Sequence, residues 1–301
     1  MQRLDAPAGT PQARDRRLHG ALLHVVLLCL VAATAAAQAP ADTEEWIPLF
    51  NGRDLDGWTP KIRGHATGDN YANTFRVVDG LLTVAYDGYA KFDDQFGHLF
   101  YTRPHSHYRI RLEYRFIGPQ APGAAKWAFR NSGIMLHSQP PDTMMPLQDF
   151  PISIEFQLLG GRGDGSARPT GSMCSPGTEV IMHGKRAPKH CMQADAPTFD
   201  GDQWVRAEAL VLGSERIVHY INGQPVIEYG GITMGGSMVS GHRRELERDG
   251  EALGEGYISL QSEGHPVQFR NVELLDLKGC MDPKALDYKR YYVAADAARC
   301  R

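Results

Sequence analysis

The sequence predicts an all-β protein, a jelly-roll-like sandwich of two antiparallel sheets, on three observations. Along most of its 301 residues, short apolar runs alternate with polar residues at a period of two, as half-buried strands do. Asp79-Gly80 and Asn222-Gly223 each sit between two such runs, and these dipeptides tolerate the positive φ angles of a two-residue hairpin turn. Beyond the N-terminal segment, no stretch carries a sustained helical period with capping residues.

The N-terminal segment stands apart from the fold. Arg14, Arg16 and Arg17 make a positive region, an apolar run extends from Ala21 to Ala33, and Ala35-Ala36-Ala37 offers the small residues of a cleavage site. Residues 1–37 are therefore expected to be a signal peptide, and the mature protein is expected to be secreted or periplasmic. The apolar run falls short of the roughly 20 residues that span a bilayer, so no stable membrane anchor is expected after cleavage. Cys29 follows Leu28, not the Gly or Ala of a lipidation site.

The strands then follow in order. TFRVVDGLLTVAY (74–86) is the first hairpin, and YRIRLEYRFI (108–117) alternates large apolar with charged residues. SGIMLHS (132–138), PISIEFQLLG (151–160), WVRAEALVLG (204–213), RIVHYINGQPVIEY (216–229) and GYISLQSEGHPVQFRNVELLDL (256–277) continue the pattern. Many strands separated by Gly and Pro argue a sandwich or jelly roll. Gly118 to Lys126, Gly160 to Pro197 and Gly230 to Gly254 are expected as loops, and loops this long in a compact domain are usually functional or mobile. The charged run HRRELERDGE (242–251) is expected as a solvated face or short helix.

Charge and cysteine count narrow the partners. The formal net charge is −3 and no basic stripe follows the signal, so nucleic acid is not an expected partner. Cys174, Cys191, Cys280 and Cys300 remain after cleavage, and an even number in an exported chain reads as disulfides. Of three pairings, the sequence-local one, Cys174–Cys191 with Cys280–Cys300, is the simplest. Each bridge would close a loop of roughly 15–20 residues, worth up to about 3 kcal/mol. Zinc is the competing reading, but no paired C-x-x-C is present.

The body is expected over 45–278 and a cysteine-bounded tail over 279–301. The tail resembles cysteine-bounded C-terminal segments of secreted bacterial proteins, with Asp287 where Asn is common. It is expected to be a stapled surface clasp, with metal binding through Asp282, Asp287 and Asp296 as the alternative.

Alternation also sorts polar groups onto faces. In 151–160, Ile152, Ile154, Phe156 and Leu158 oppose Ser153, Glu155 and Gln157. In 256–265, Ile258 and Leu260 oppose Tyr257, Ser259, Gln261 and Glu263. In 132–138, Ile134 and Leu136 oppose Met135 and His137. Three strands thus offer acid, amide or imidazole groups on one side. A groove for a hydroxyl-rich ligand would show this, and so would an ordinary solvated sheet face.

Several of these segments resemble a known family. EWIPLFNGRDLDGW, TFRVVDGLL, WAFRNSGIMLHSQ, SIEFQLLGG, RPTGSMCSPGTEV, GDQWVRAEALV and GYISLQSEGHPVQFRNVELLDL arrive in the order of the 3-keto-disaccharide hydrolase (3-keto-glucoside 1,2-lyase) family, covering roughly Glu45 to Leu277. SMCSPGT stands where related sequences often read NLCTPGT. The resemblance implies a concanavalin-like double sheet and cleavage of 3-keto-glycosides. A ketone at carbon 3 acidifies the proton on carbon 2, so a general base can remove it and the enolate can expel the glycosidic oxygen. No organic cofactor is needed, and a divalent metal is one means of stabilising the enolate.

The resemblance implies Glu155, Glu263, His265 and His137 as catalytic candidates. Arg130, Asn131, Gln157 and Gln261 are the candidates for substrate binding. Glu155 is the first choice for the base or a metal ligand, Arg130 is a clamp for the enolate or a hydroxyl, and Arg270 is structural. Trp46, Trp58, Trp127 and Trp204 are expected to pack in the core or under loops, with sugar stacking by Trp127 as the alternative. A noncatalytic carbohydrate-binding module and a two-carboxylate glycosidase using Glu155 and Glu263 remain the other readings.

Overall fold

The protein is described by a computed structural model over residues 43–301, so the expected signal peptide lies outside the described residues. In chain order the strands are β1 (Ile47–Pro48), β2 (Trp58–Ile62), β3 (Phe75–Val78), β4 (Leu81–Val84), β5 (Gly97–Tyr101), β6 (His107–Phe116), β7 (Asn131–Ser138), β8 (Ile154–Leu159), β9 (Met173–Cys174) and β10 (Thr178–Met182). They continue as β11 (Lys185–Arg186), β12 (Cys191–Met192), β13 (Val205–Leu212), β14 (Arg216–Ile221), β15 (Gln224–Met234), β16 (Tyr257–Ser262), β17 (Val267–Asp276), β18 (Lys278–Gly279) and β19 (Ala294–Ala295). Helix among the described residues is limited to short 3-10 turns.

Two large antiparallel sheets stack on one core, a concanavalin-like jelly-roll sandwich. The larger runs β11-β10-β15-β14-β13-β6-β17-β4-β3, with β1 paired to β17; the other runs β12-β9-β8-β7-β16-β5-β2. Strand β6 shows why they stack. Tyr108, Ile110, Leu112, Tyr114 and Phe116 point inward and are buried, while the residues between them are partly exposed. From the second sheet, Ile134, Leu136, Ile154, Phe156, Leu158, Ile258 and Leu260 meet them. Each such side chain contributes about 1.5–3 kcal/mol when fully buried.

Both hairpin dipeptides turn as read. Val78 pairs with Leu81 around Asp79 (φ 51°) and Gly80 (φ 77°), and Ile221 pairs with Gln224 around Asn222 (φ 49°) and Gly223 (φ 81°). Two positive φ angles in succession match the right-handed twist of the flanking strands.

The outward face of the larger sheet is a mosaic of opposite charges. Arg111 pairs with Glu273 at 2.6 Å, Arg270 with Glu113 and Arg109 with Glu208, each across neighbouring strands. Arg111 lies 3.7 Å over the Trp46 ring and Arg270 lies 4.2 Å over Trp204, a cation–π arrangement. Arg270 is structural as expected, but it sits on β17, an interior strand between β6 and β4.

The segment Gly160 to Pro197 departs from its expected loop character. It holds β9, β10, β11 and β12, and β10 crosses to extend the larger sheet beside β15. Strands of two to five residues are too short for alternation to register in the sequence. The run 242–251 contains a 3-10 turn over Arg244–Leu246 and an Arg248–Glu251 ion pair.

The tail closes on the body as a clasp. β18 and β19 pair in parallel, and Arg299 reaches Asp276 at 2.7 Å. Its three aspartates are engaged locally: Asp282 accepts from the Lys284 amide, Asp287 holds Arg301, and Asp296 caps the 3-10 turn over Ala297–Arg299.

Cys174–Cys191 and Cys280–Cys300 are both bonded. Non-reducing peptide mapping of the mature protein should recover these two linked peptide pairs. Four free thiols in exported material would contradict the pairing.

Candidate functional site

Register, not sequence proximity, assembles the site. Glu155 of β8 stands opposite Met135 of β7 and Cys174 of β9, while Gln157 stands opposite Gly133. Ser259 of β16 pairs with Met135, and Gln261 pairs with His98 of β5. Their core-facing neighbours fix the sense of each strand, so Glu155, Gln157, Ser259, Gln261 and His98 all project from the outward face of the smaller sheet.

That face is covered, unlike the charged face opposite. Glu155 is 7% exposed and Gln261, Ser259 and His98 are fully buried. A pocket of about 250 Å³ opens onto this face. Glu155, Glu263, Gln157 and Asn131 line it, with Trp127, Phe150, Met238, Pro176 and the Cys174–Cys191 bridge forming walls. Trp127 is 52% exposed, which departs from its expected packing in the core or under a loop. Its ring stacks on Phe96 at 5.9 Å, and Phe96 in turn packs against Phe150 at 5.0 Å. Flat aromatic faces beside fixed polar groups are how carbohydrate pockets present themselves. Trp58 is buried, while Trp46 and Trp204 lie beneath arginines on the other sheet.

A missing side chain makes room for the acid. A Cβ built on Gly133 would meet Glu155 Oε1 at 2.7 Å and its Cγ at 2.8 Å. The Glu155 carboxyl therefore lies folded over Gly133.

Burial dominates the electrostatics. Desolvation pushes the Glu155 carboxyl well above its ordinary value, and Glu263 is raised first by burial and then by the nearby Glu155 charge. Arg168, itself 8% exposed, pulls Glu263 the other way. Burial and the neighbouring like charge both favour the protonated form in this pair. Several polar atoms on this face find no protein partner: Glu155 Oε1, Glu263 Oε2, Asn131 Oδ1, both polar atoms of the Gln261 amide and both His98 ring nitrogens. Groups so buried are normally paired, with water or ligand where protein supplies nothing. His98 is kept neutral, its imidazole held down at about 3 by burial and then by the Lys61 charge.

The eight candidate residues divide. Glu155, Glu263, Gln157 and Asn131 share the pocket, and Gln261 stands on the same sheet face. Glu155 is buried. His137, His265 and Arg130 lie elsewhere. A bulge between the Tyr257 and Ser259 pairings, with φ 51° at His137, turns that imidazole away from its expected side. Its Nε2 meets the Gly213 carbonyl at 3.1 Å, its ring packs on Tyr108, and it borders a separate cavity of about 270 Å³. His265 follows Gly264 (φ 94°) and packs edge-on against Phe129 and Phe116. Arg130 (φ 45°) donates to the Gly201 carbonyl and to Asp202, which matches an ion-pairing role rather than a clamp.

The sequence reading missed His98, Arg168 and Phe150. His98 lies in GHLFY, buried at every position, so no alternation marks its face. Among the described residues, Cys174, His190 and Cys191 form the one cluster of three ionisable or sulfur ligand types within 4.8 Å, and both sulfurs are already bonded. Glu155 and Glu263 line the pocket together with His190, so carboxylate and imidazole donors face one space.

The jelly-roll sandwich and its largely apolar-walled pocket define a fold class that many functions share. Comparison with known families then places the chain. A model of the 3-keto-alpha-glucoside-1,2-lyase-like domain matches residues 45–275, and the chain belongs to that family. A search of curated proteins finds no match. Among solved structures, a "Putative glycosyl hydrolase" from Parabacteroides distasonis is similar at 16% identity, covering 77% of this chain and 99% of its own, with a TM-score of 0.45. A second glycosyl hydrolase structure from that organism, with the same qualifier, shows 21% identity, coverage of 77% and 93%, and a TM-score of 0.43. A Bacillus subtilis protein of unknown function with a galectin-like fold shows 12% identity, coverage of 78% and 97%, and a TM-score of 0.43.

The raised carboxyls make a stability prediction with a defined sign. The folded chain holds their protons more tightly than the unfolded chain does. Their contribution is therefore full below the ordinary value of 4.5 and is lost as pH rises through the raised values. Glu155→Gln removes one member of the pair, so at pH 8 it should be more stable than wild type by about 1 kcal/mol. The difference should vanish near pH 4. Equal denaturation midpoints at both pH values would contradict the raised proton affinity of the buried pair.

Proposed function

We propose that the protein is an exported enzyme that cleaves 3-keto-glycosides by 1,2-elimination followed by hydration. The observation that carries this reading is the buried Glu155–Glu263 pair in the aromatic-walled pocket, taken together with membership of the family. A carboxylate with a raised proton affinity is a stronger base than one in water, and a neighbour held protonated by burial can act as an acid.

In this reading Glu155 takes the carbon 2 proton, and the bonding pair moves into the enolate of the carbon 3 ketone. The amides of Asn131 and Gln157 lie where they can donate to the sugar oxygens. Re-formation of the ketone breaks the bond from carbon 1 to the glycosidic oxygen, and Glu263 supplies the proton that oxygen needs to leave. Water then adds across the carbon 1–carbon 2 double bond, with hydroxide to carbon 1 and the proton to carbon 2, and the 3-keto sugar is released. No organic cofactor enters these steps, and none is assigned to a metal. Export rests on the N-terminal pattern and agrees with two disulfides.

Purified mature protein should release aglycone from a 3-keto-glycoside and leave the parent glycoside intact. Glu155→Gln should lower kcat by on the order of a hundredfold or more, the usual scale for a lost general base. Comparable hydrolysis of the parent would favour a two-carboxylate glycosidase. Tight sugar binding without turnover of either compound would favour a binding module. The same assay with a chelator decides whether a divalent cation joins the donors.

A further inference from the structure

Arg168 lies in the segment joining β8 to β9 and is nine-tenths buried, yet its guanidinium is engaged by main-chain carbonyls rather than by an ion pair. Nη1 donates to the Gly160 carbonyl at 2.6 Å and to the Arg130 carbonyl at 3.1 Å, and Nη2 donates to the Trp127 carbonyl at 3.2 Å. Its own amide donates to Thr198 Oγ1 at 2.7 Å. These carbonyls have a common address. Trp127 walls the pocket, Arg130 immediately precedes the pocket residue Asn131, and Gly160 closes β8 just beyond Gln157.

A planar fork with donors in fixed directions suits three carbonyls from two chain segments, which a lysine ammonium would satisfy less completely. Burying a full positive charge among carbonyl dipoles alone is costly unless something nearby benefits from it. The group that benefits is Glu263, whose carboxyl feels the Arg168 charge.

We propose that Arg168 is a positioning residue of the pocket, fixing the rim from Trp127 to Asn131 through its carbonyl bonds and carrying a buried positive charge at the pocket that Glu263 lines. The proposal rests on the reading of Glu155 and Glu263 as the reacting pair, but its test does not. The charged and titratable groups around the two partners are Glu155 and Tyr86 beside Glu263, with Arg162 and Tyr114 beside Arg168. His265 senses both Arg130 and Arg168, and burial keeps it neutral at about 4, so it does not mimic the titration.

The glutamate carboxyls are followed by carbon-13 NMR against pH in wild type, Arg168→Lys and Arg168→Gln. The glutamine variant removes the charge while keeping a donor, so the Glu263 titration should move alkaline by on the order of one pH unit. The lysine variant keeps the charge, so its titration should stay near wild type. In wild type alone, the Arg168 side-chain Nε–H resonance should shift with the Glu263 midpoint, which decides the matter even if the glutamine variant fails to fold. An unmoved titration in the glutamine variant, or an Arg168 resonance blind to Glu263, would overturn the proposal. On a 3-keto-glycoside, the lysine variant should show a raised KM with its pH profile in place, and the glutamine variant should show both effects. Absence of turnover in all proteins would instead count against the functional reading and leave the titration result standing.

Discussion

Two carboxyls held side by side on a covered sheet face are the constraint on which the site depends. Placing either in ionised form away from water costs several kcal/mol, and placing both so is worse. The fold meets this with the space over Gly133, the Arg168 charge and a raised proton affinity at both carboxyls. The same burial that makes the arrangement costly gives it chemical use, because a desolvated carboxylate binds protons more tightly than a solvated one.

The two outward faces show how one architecture separates stability from function. On the larger sheet, Arg and Glu alternate across strands and lie against Trp46 and Trp204, so each charge has a partner within the sheet. On the smaller sheet the corresponding positions carry Glu155, Gln157, Gln261 and His98, and several of their polar atoms lack a protein partner. Segments 118–130, 139–153 and 160–197 supply Trp127, Phe150, Pro176 and the Cys174–Cys191 bridge to the pocket. Disagreement between local polarity and local satisfaction is where function is expected in an otherwise consistent fold.

The fold was legible because its signals are local. Alternation in β6, β8 and β16 and the turn dipeptides at 79–80 and 222–223 each declare their structure within a few residues. The same alternation grouped Glu155 with Gln157 and Gln261 with Glu263, whereas Asn131 was offered only by the family resemblance. It failed wherever the backbone left the regular pleat. A bulge turned His137, positive φ at Arg130 redirected that chain, and Gly264 swung His265 between aromatic rings. His98 and Arg168 were invisible for a different reason. One sits in a strand buried on both faces, and the other reaches the site from a segment too irregular to show a period.

The proposed chemistry turns on proton transfer at carbon 2. Direct hydrolysis at carbon 1 leaves the carbon 2 hydrogen in place, whereas elimination and hydration must exchange it for one from solvent. Turnover of a 3-keto-glycoside in deuterium oxide therefore tests the account most directly. The released 3-keto sugar should carry deuterium at carbon 2 well above its uncatalysed exchange, and Glu155→Gln should reduce that incorporation to background. Product formed at the wild-type rate with its original carbon 2 hydrogen retained would contradict the account.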